Sequence, residues 1–247
     1  TEKRRGEMLE KVIELGKRVT ESSDLKGTIH KIWHGVHDDL QFDRLAIFLY
    51  NSERNQMDDT LGTDEHGQMT DNYGISFPVG ADTDGSTFAY LLERPDGFYF
   101  TNNYAAENNI PPEHEMHKVR DYAAVAAWAG NKPVAVICAD NLISQRPITS
   151  EQLEGLRLFA GYAGLAIENT RLNTAIQNEL NLQKRAEQRE ARRRATLEKV
   201  IKLGQGVTEV HNLRATLERI WHGVHDGLGF DRLAIFLYNA ERNSVDG

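Results

Sequence analysis

The sequence predicts an α+β protein, in which helices pack on a mostly antiparallel sheet and a long linker helix leads into a truncated second copy. Three observations support this prediction. Apolar residues recur every three or four positions near the start and then form several short, nearly continuous runs. The segment 150–208 contains no proline and keeps helical spacing over much of its length. A stretch near the start also recurs 188 residues further on, which is typical of an internal repeat.

The first two elements are predicted to be helices. Residues 1–23 are expected to form an incoming linker helix. Its apolar residues are Leu9, Val12, Ile13, Leu15 and Val19. Asp24 follows, and its side chain is suited to the N-cap of a second helix, Leu25–Leu40. The predicted core face of this second helix consists of Leu25, Ile29, Ile32, Trp33, Val36 and Leu40.

After the second helix, the apolar spacing changes from helical to strand-like. Phe42–Tyr50 is almost entirely apolar after Asp43 and Arg44, which predicts a central strand. A short helix that ends at Pro95 is also expected. The other strands predicted before the loop are Met57–Gly62, Gly74–Val79 and Phe98–Asn102.

The remainder of the predicted sheet is a hairpin. Asn103–Lys118 first forms a loop, with a short helix expected after Pro112. Asp121–Ala129 and Pro133–Asn141 are then predicted to be strands, joined by a turn at Gly130, Asn131 and Lys132. Because a short turn joins antiparallel strands, the sheet as a whole is expected to be mostly antiparallel.

The segment from Ser150 to Thr208 is predicted to be one helix, capped by Thr149 or Ser150. A helix of this length needs a partner to be stable in water, and a parallel dimer along part of it is expected. The seam is imperfect, because Arg, Glu and Ala occupy most core positions between Gln183 and Arg194. The pattern therefore favours a weak coiled coil and a homodimer formed through the linker helices.

An internal repeat defines the predicted domain organisation. Ile32–Asp38 recurs as Ile220–Asp226, and Phe42–Asn51 recurs unchanged as Phe230–Asn239. Across the first 59 positions, 37 residues are identical to their counterparts 188 positions later. The expected parts are an incoming linker helix at 1–23, a domain core at 24–150, an exit helix at 151–208 and the truncated start of a second copy at 209–247. On this pattern we expect the chain to be a fragment with an earlier copy upstream.

The composition disfavours several classes of function. A net charge of −8 argues against a nucleic-acid partner. The arginines at 189–194 alternate with Glu187 and Glu190, as on a solvated helix face. No apolar run approaches the roughly 20 residues that a membrane span needs. The single cysteine, Cys138, excludes an internal disulfide and indicates a reducing, cytoplasmic compartment.

Three motifs together resemble the GAF domain family. They are FDRLAIFLYN at 42–51, STFAYLLE at 86–93 and AVICADNLISQRPITSEQLEGLRLFAGYAGLAIENTRL at 135–172. The resemblance covers about residues 9–175, and residues 197–247 resemble the beginning of another such domain. It implies a small-molecule sensor or a dimerising relay, of the kind that lies upstream of an output domain such as a histidine kinase or a cyclase.

Ligands known for this family make different demands on the residues. Covalent bilin attachment needs a pocket thiol, whereas Cys138 is predicted to be a small core residue beside Val134 and Val136. The methionine-sulfoxide-reductase branch needs several cysteines, which this chain lacks. Cyclic-nucleotide-binding relatives carry an Asn-Lys…Phe…Asp-Glu pattern, of which this chain keeps the asparagine, Asn141. That alternative is weakened and stays open.

Histidines are the candidates for a metal site. The second helix carries three of them on one flank, and the later copy keeps two at the same positions beside a glutamate. These residues are His30, His34 and His37, and then Glu218, His222 and His225. Three side chains from one helix rarely complete a metal site, so we interpret them as a partner-facing or solvated flank and predict no metal.

A small molecule is expected to bind between the sheet and the loop 102–117. Small residues at Ala124 and Ala126 leave room there. The predicted pocket residues are Phe77, Phe88, Tyr99, Asn102, Tyr104, His117, Tyr122 and Trp128. His114 shares the loop with His117, and solvated histidines are favoured over ligation of haem. The alternative is that the aromatic residues simply fill a core. The residues identify no cofactor.

The sequence therefore predicts a non-catalytic sensory segment that binds a small molecule, dimerises, or does both, and relays the change along the long helix. The main rival is a structural, dimerising spacer without a ligand. An enzyme is disfavoured, because no nucleophile–base pair or phosphate loop is present and the paired carboxylates are interpreted as loop residues. Those carboxylates are Asp58, Asp59, Asp64, Glu65, Asp82 and Asp84.

Overall fold

The computed structural model describes residues 2–80, 83–95, 97–208 and 212–246. The side chains at 2–5, 83–86, 203, 206–208 and 246 lie outside this description. The chain divides into two compact units, residues 1–176 and 177–247. Within the described residues, no helix is both long enough and apolar enough to cross a membrane.

The first unit is built on an antiparallel sheet, which confirms the predicted α+β class. The described strands are β1 (Arg44–Asn51), β2 (Gln56–Thr63), β3 (Met69–Asp71), β4 (Ser76–Pro78), β5 (Phe98–Thr101), β6 (Tyr122–Ala129) and β7 (Lys132–Asp140). Their spatial order is β3-β2-β1-β7-β6-β5, and β4 also pairs with β2. β1 lies between β2 and β7, so the apolar segment predicted to be a central strand is one.

Three helices cover one face of this sheet: α1 (Glu2–Thr20), α2 (Leu25–His34) and the first part of α5 (Ser150–Thr208). Asp24 is the N-cap of α2, as predicted, because its Oδ1 accepts a hydrogen bond from the Gly27 N–H at 2.8 Å. A π-helical turn, Gly35–Asp39, continues α2 almost to the predicted end. The predicted core face is buried at Ile29, Ile32, Trp33, Val36 and Leu40.

The long helix α5 has the predicted bounds. Thr149 and Gln152 form a reciprocal capping box. The Gln152 N–H donates to Thr149 Oγ1 at 3.2 Å, and the Thr149 N–H donates to Gln152 Oε1 at 3.1 Å. The first turns bury Leu156, Phe159, Ala160, Ala163 and Ile167 against the sheet. From Leu172 to Gln205 every residue whose burial is described is exposed.

The opposite face of the sheet is covered by α3 (Thr83–Leu92), α4 (Tyr104–Glu107) and a 3-10 turn, Glu115–Lys118. The sequence pattern predicts neither β3 nor α4, and the short helix expected after Pro112 is the 3-10 turn. The turn between β6 and β7 contains two residues rather than three, because Lys132 already pairs with Ala129. Gly130 in this turn has a φ of +60°, which glycine adopts without strain.

In the second unit, α6 (Leu213–His222) is followed by a π-helical turn, Gly223–Gly227. Asn212 replaces Asp24 as the N-cap, and its Oδ1 accepts from the Arg214 N–H at 2.9 Å. A short hairpin of β8 (Leu237–Asn239) and β9 (Ser244–Asp246) follows. The repeated sequence therefore forms the same helix and π-turn twice.

Candidate functional site

A cavity of about 460 Å³ lies on the sheet face opposite α1, α2 and α5. Its floor is formed by β1, β2 and β7. Its volume is within the range of small-molecule sites, roughly 300–1,000 Å³. It is lined by Arg44, Leu45, Ala46, Phe48, Asp59, Gly62, Thr63, Thr70, Asn72, Phe77, Pro78, Phe88, Tyr104, His114, Glu115, Met116, Tyr122, Cys138, Ala139 and Asp140.

The structure brings half of the predicted pocket residues to this cavity. The residues that line it are Phe77, Phe88, Tyr104 and Tyr122. The other four are placed elsewhere: Tyr99, Asn102, His117 and Trp128 are not part of its wall. The predicted pocket and the cavity therefore share these four residues, and the prediction that they bind a small molecule stays a prediction.

The four residues outside the wall have identifiable positions. Asn102 and His117 are exposed, and the Nδ1 of His117 lies 3.0 Å from the Ile110 carbonyl oxygen. The Tyr99 hydroxyl lies 3.4 Å from Glu107 Oε2, and burial raises the pKa of Tyr99 above its usual range. Trp128 follows a β-bulge after Ala127, and its Nε1 is buried without a hydrogen-bond partner among the described residues.

Aromatic rings form the apolar part of the wall. The ring centroids of Phe48 and Phe88 are 5.3 Å apart, and Phe77 lies 5.5 Å from Phe48 and 5.8 Å from Phe88. Tyr104 stacks on Tyr122 at 4.3 Å. Contacts at these distances favour a fixed arrangement of the rings. The cavity therefore has a defined apolar side.

A buried ion pair forms part of the polar side. Arg44 Nε donates to Asp140 Oδ1 at 3.1 Å and Arg44 Nη2 donates to Asp140 Oδ2 at 2.7 Å, so the pair is bidentate. The Leu142 N–H also donates to Asp140 Oδ1 at 2.9 Å. Arg44 Nη2 lies 3.1 Å from Met116 Sδ, which brings the 3-10 turn onto the pair. Arg44 thus links the sheet to the segment that covers the cavity.

Asp59 reaches the cavity because of a β-bulge. Ile47 lies opposite Leu61, whereas Phe48 lies opposite Asp59, so Thr60 is the extra residue. Asp59 therefore shares the cavity face with Phe48. Its Oδ1 accepts from the Thr60 N–H at 2.7 Å and its Oδ2 accepts from Asn72 Nδ2 at 3.1 Å. Partial burial outweighs these hydrogen bonds and raises the pKa of Asp59 above its usual range.

The raised pKa of Asp59 predicts a pH dependence of stability. Between the ordinary Asp pKa of about 3.9 and the raised value, the native state binds more protons than the unfolded state. The contribution of Asp59 to the free energy of unfolding should therefore fall as pH rises through this window. Asp59→Asn removes the titration. The free energy of unfolding of the variant, minus that of the wild type, should increase from about pH 3.5 to pH 7.

Urea unfolding of both proteins at a series of pH values measures this difference. The asparagine has one acceptor oxygen in place of two, so the difference is expected to carry a constant offset from a lost hydrogen bond. Only its change with pH reports the titration. A difference that stays constant between pH 3.5 and pH 7 would contradict the raised pKa.

The residues at the start of the 3-10 turn form the solvent edge of the cavity. His114 Nδ1 accepts a hydrogen bond from the Met116 N–H at 3.1 Å. The Glu115 side chain also lines the cavity. The sequence pattern selects His117 in this loop, and the geometry of the turn instead brings His114 to the cavity.

Cys138, the single cysteine of the chain, is buried and lies on the cavity wall. Val136 shares its face of β7, as predicted. Val134 does not: it packs with the helices on the opposite face. The prediction for Val134 was wrong because the bulge beside Trp128 interrupts the alternation of side chains along the hairpin.

His34 of α2 and His37 of the following π-turn share a carboxylate. His34 Nδ1 and His37 Nδ1 each lie 2.7 Å from an oxygen of Asp38. Burial alone would raise the pKa of Asp38, but the hydrogen bonds with His37 and His34 outweigh it and lower that pKa. His37 also stacks on Trp33, with ring centroids 4.4 Å apart.

The second unit repeats this arrangement, with His222 and His225 at 2.9 and 2.6 Å from Asp226. His30 does not take part in the first cluster, nor Glu218 in the second, where it binds Arg214. Over the described parts of the chain, no group of three or more His, Cys, Asp or Glu side chains is arranged to hold a metal ion.

Two carboxylates interpreted as loop residues lie in a strand. Asp58 and Asp59 are both in β2, and Asp58 accepts from Gln56 Nε2 at 2.8 Å and Ser76 Oγ at 2.7 Å. Asp64 caps the β2–β3 turn, because its Oδ1 accepts from the N–H groups of His66 and Gln68. Glu65 is exposed. Asp82 and the side chain of Asp84 lie outside the described residues.

Comparisons with known proteins agree with this architecture. The GAF domain family matches residues 24–167, which is more than half of the chain. The chain therefore belongs to the GAF domain family. A comparison with curated proteins finds no match.

Solved structures with the same fold include part of a methyl-accepting chemotaxis protein, residues 122 to 287. It is 17% identical with a TM-score of 0.52, and the match covers 64% of this chain and 97% of that one. The GAF domain of an Acinetobacter phosphoenolpyruvate-protein phosphotransferase is 12% identical with a TM-score of 0.53, covering 66% and 94%. The corresponding domain from Coxiella burnetii is 10% identical with a TM-score of 0.53, covering 69% and 98%. At these identities the likeness is one of fold.

Proposed function

We propose that this chain is a sensory segment of a signal-transduction protein, in which the GAF domain binds a small molecule and performs no catalysis. The observation that supports this proposal is the cavity of about 460 Å³, whose wall combines aromatic rings with polar and charged side chains. Small-molecule sites share this combination. A structural spacer needs no such volume, because protein interiors are otherwise densely packed.

Hydrogen bonds connect the cavity to α2, one of the helices on the opposite face of the sheet. Trp33 on α2 donates from Nε1 to the Gly62 carbonyl oxygen at 2.9 Å and lies 3.1 Å from Thr63 Oγ1. Gly62 and Thr63 both line the cavity. The Leu45 N–H donates to the same Thr63 Oγ1 at 3.2 Å. A ligand that favours one position of β2 would therefore favour one position of α2, which is the requirement for a relay.

The relay is proposed to continue along α5 to an output domain, such as a histidine kinase or a cyclase, in the cytoplasm. We also propose a homodimer through the linker helices. Leu158, Leu165 and Leu172 recur every seven residues on α5, and all are exposed, as is Ile176. A second copy of the helix presents the same stripe, so a parallel pair would bury both.

Native mass spectrometry of the chain, gently purified from its expression host, tests both parts of the proposal. We expect a dimer that carries a stoichiometric extra mass, which identifies the ligand by its weight. A dimer without any adduct would favour the structural spacer. A monomer would contradict the relay through paired helices.

The polar segment Gln183–Arg194 provides a second test. It interrupts the apolar seam of α5, so we propose that it keeps the helix pair close to balance between two arrangements. Replacing it with alanines preserves helix propensity and removes the charges. In a fusion of this chain to a histidine kinase domain, we expect the kinase activity to become less sensitive to ligand. An unchanged response would contradict a role of this segment in signalling.

The cyclic-nucleotide alternative depends on Asn141, the residue of that pattern which the chain keeps. Asn141 Oδ1 accepts from the Asp43 N–H at 3.2 Å, and its Nδ2 donates to the Arg146 carbonyl oxygen at 3.1 Å. These bonds join the start of β1 to the loop after β7. Asn141 thus has a structural role and is not part of the cavity wall.

A further inference from the structure

The cavity wall carries more negative than positive charge. Arg44 and Asp140 neutralise each other in their bidentate pair. Two carboxylates remain on the wall, those of Asp59 and Glu115. His114 Nδ1 accepts a hydrogen bond from the Met116 N–H, so this nitrogen does not donate to either carboxylate.

Asp59 is the more buried of these two carboxylates, and its hydrogen bonds come from neutral donors. These donors are the Thr60 N–H and the Asn72 side-chain amide. In the described part of the chain, no lysine, arginine or histidine forms an ion pair with it. A carboxylate that is partly removed from water without a counter-ion is unfavourable. A cation bound in the cavity would relieve this cost.

Aromatic rings lie beside the same carboxylate. Phe48 is directly opposite Asp59 across the β1–β2 pair, so their Cα atoms are about 5 Å apart and their side chains share one face. Phe77 and Phe88 pack within 6 Å of Phe48. The electron-rich faces of such rings attract ammonium groups, and they also bury apolar surface. The carboxylate and the rings therefore favour the same kind of ligand.

We propose that the cavity binds an organic cation, a protonated amine or a quaternary ammonium attached to an aromatic or aliphatic body. The ammonium pairs with Asp59, and the body packs against Phe48, Phe77 and Phe88. This inference rests on the proposed function, since it specifies the class of ligand that the sensor binds. The volume of about 460 Å³ accommodates a ligand of one or two rings.

Titration calorimetry with a matched panel tests the proposal. The probes are 2-phenylethylamine and phenyltrimethylammonium as cations, 2-phenylethanol as the neutral analogue and 3-phenylpropionate as the anion. We expect both cations to bind at least about tenfold more tightly than the alcohol or the acid. Asp59→Asn should weaken the binding of 2-phenylethylamine by about tenfold or more and should change the affinity for 2-phenylethanol little.

Asp58→Asn is the matched control, because it makes the same charge change on the neighbouring residue, which is not on the cavity wall. It should leave the affinity for 2-phenylethylamine within about twofold of the wild type. A second variant, Phe77→Leu, keeps the wall apolar and removes a ring. This variant should weaken the binding of phenyltrimethylammonium more than the binding of 2-phenylethanol.

Equal affinity for cation, alcohol and acid, or an Asp59→Asn variant that binds amines as well as the wild type does, would overturn the proposed ligand class. Either result would leave a small-molecule sensor in place. Failure of every probe to bind at millimolar concentration would also overturn the ligand class. The sensor proposal is then decided separately by whether the gently purified protein carries an extra mass.

Discussion

Replacing Arg44 with methionine is expected to destabilise the protein by about 3–5 kcal/mol. The side chains of Arg44 and Asp140 are only 8% and 6% exposed, so the variant would leave an ionised carboxylate buried without its partner. The cost comes from this unpaired charge more than from the lost attraction. Chemical denaturation followed by circular dichroism measures the change in the free energy of unfolding.

Two further variants separate the charge effect from packing. Adding Asp140→Asn to Arg44→Met removes the unpaired charge and keeps an acceptor for the Leu142 N–H, so the double variant should recover much of the lost stability. Lys26→Met breaks a surface ion pair between Lys26 and Asp71. The side chain of Lys26 is 62% exposed and that of Asp71 is 59% exposed. It should cost no more than about 1 kcal/mol. A loss of similar size in Arg44→Met and Lys26→Met would contradict the interpretation.

Gly164→Ala is expected to destabilise the protein by about 2–3 kcal/mol, although alanine is the better helix former. Gly164 lies where α5 crosses β6, and a Cβ there would be 2.3 Å from the Trp128 carbonyl oxygen and 2.6 Å from its nitrogen. These are backbone atoms of a central hairpin, so they can move only if the helix or the sheet shifts. Thermal and urea unfolding measure the loss.

Gly161→Ala is the matched control in the same helix. A Cβ at Gly161 would have no atom within 4 Å, and the residue is exposed. The substitution should therefore stabilise the protein by up to about 1 kcal/mol. The two variants are thus expected to change stability in opposite directions. Two stabilising substitutions would show that α5 does not approach β6 as closely as the structure indicates.

Part of the cavity could be predicted from residue patterns and part could not. Tyr122 could be predicted from the sequence because the alternation of side chains along β6 identifies the face that it occupies. Phe88 could be predicted because helical spacing identifies the apolar face of α3. Asp59 could not be predicted, because the bulge at Thr60 decides which face of β2 it occupies. The ion-pair partner of Arg44 could not be predicted either. Asp140 lies 96 residues away in the sequence, and the pairing depends on the register between β1 and β7.

The sequence by itself determined local structure, including the N-cap at Asp24, the bounds of α5 and the repeated helix with its π-turn. These features depend on hydrogen bonds and spacing within a few residues. The tertiary structure decided how much of an identical ten-residue sequence forms a strand in each of its two copies. The residues 42–51 and 230–239 are identical, yet β1 spans Arg44–Asn51 and β8 only Leu237–Asn239.

The physical reason is the neighbouring strand. β1 pairs on one side with β2 and on the other with β7, and Phe42 beside it is 1% exposed. In the described second unit, β8 pairs with β9 alone, and Phe230 is 56% exposed. Strand pairing and burial come from residues distant in the sequence, so the same ten residues are central in one sheet and lie largely outside a hairpin in the other.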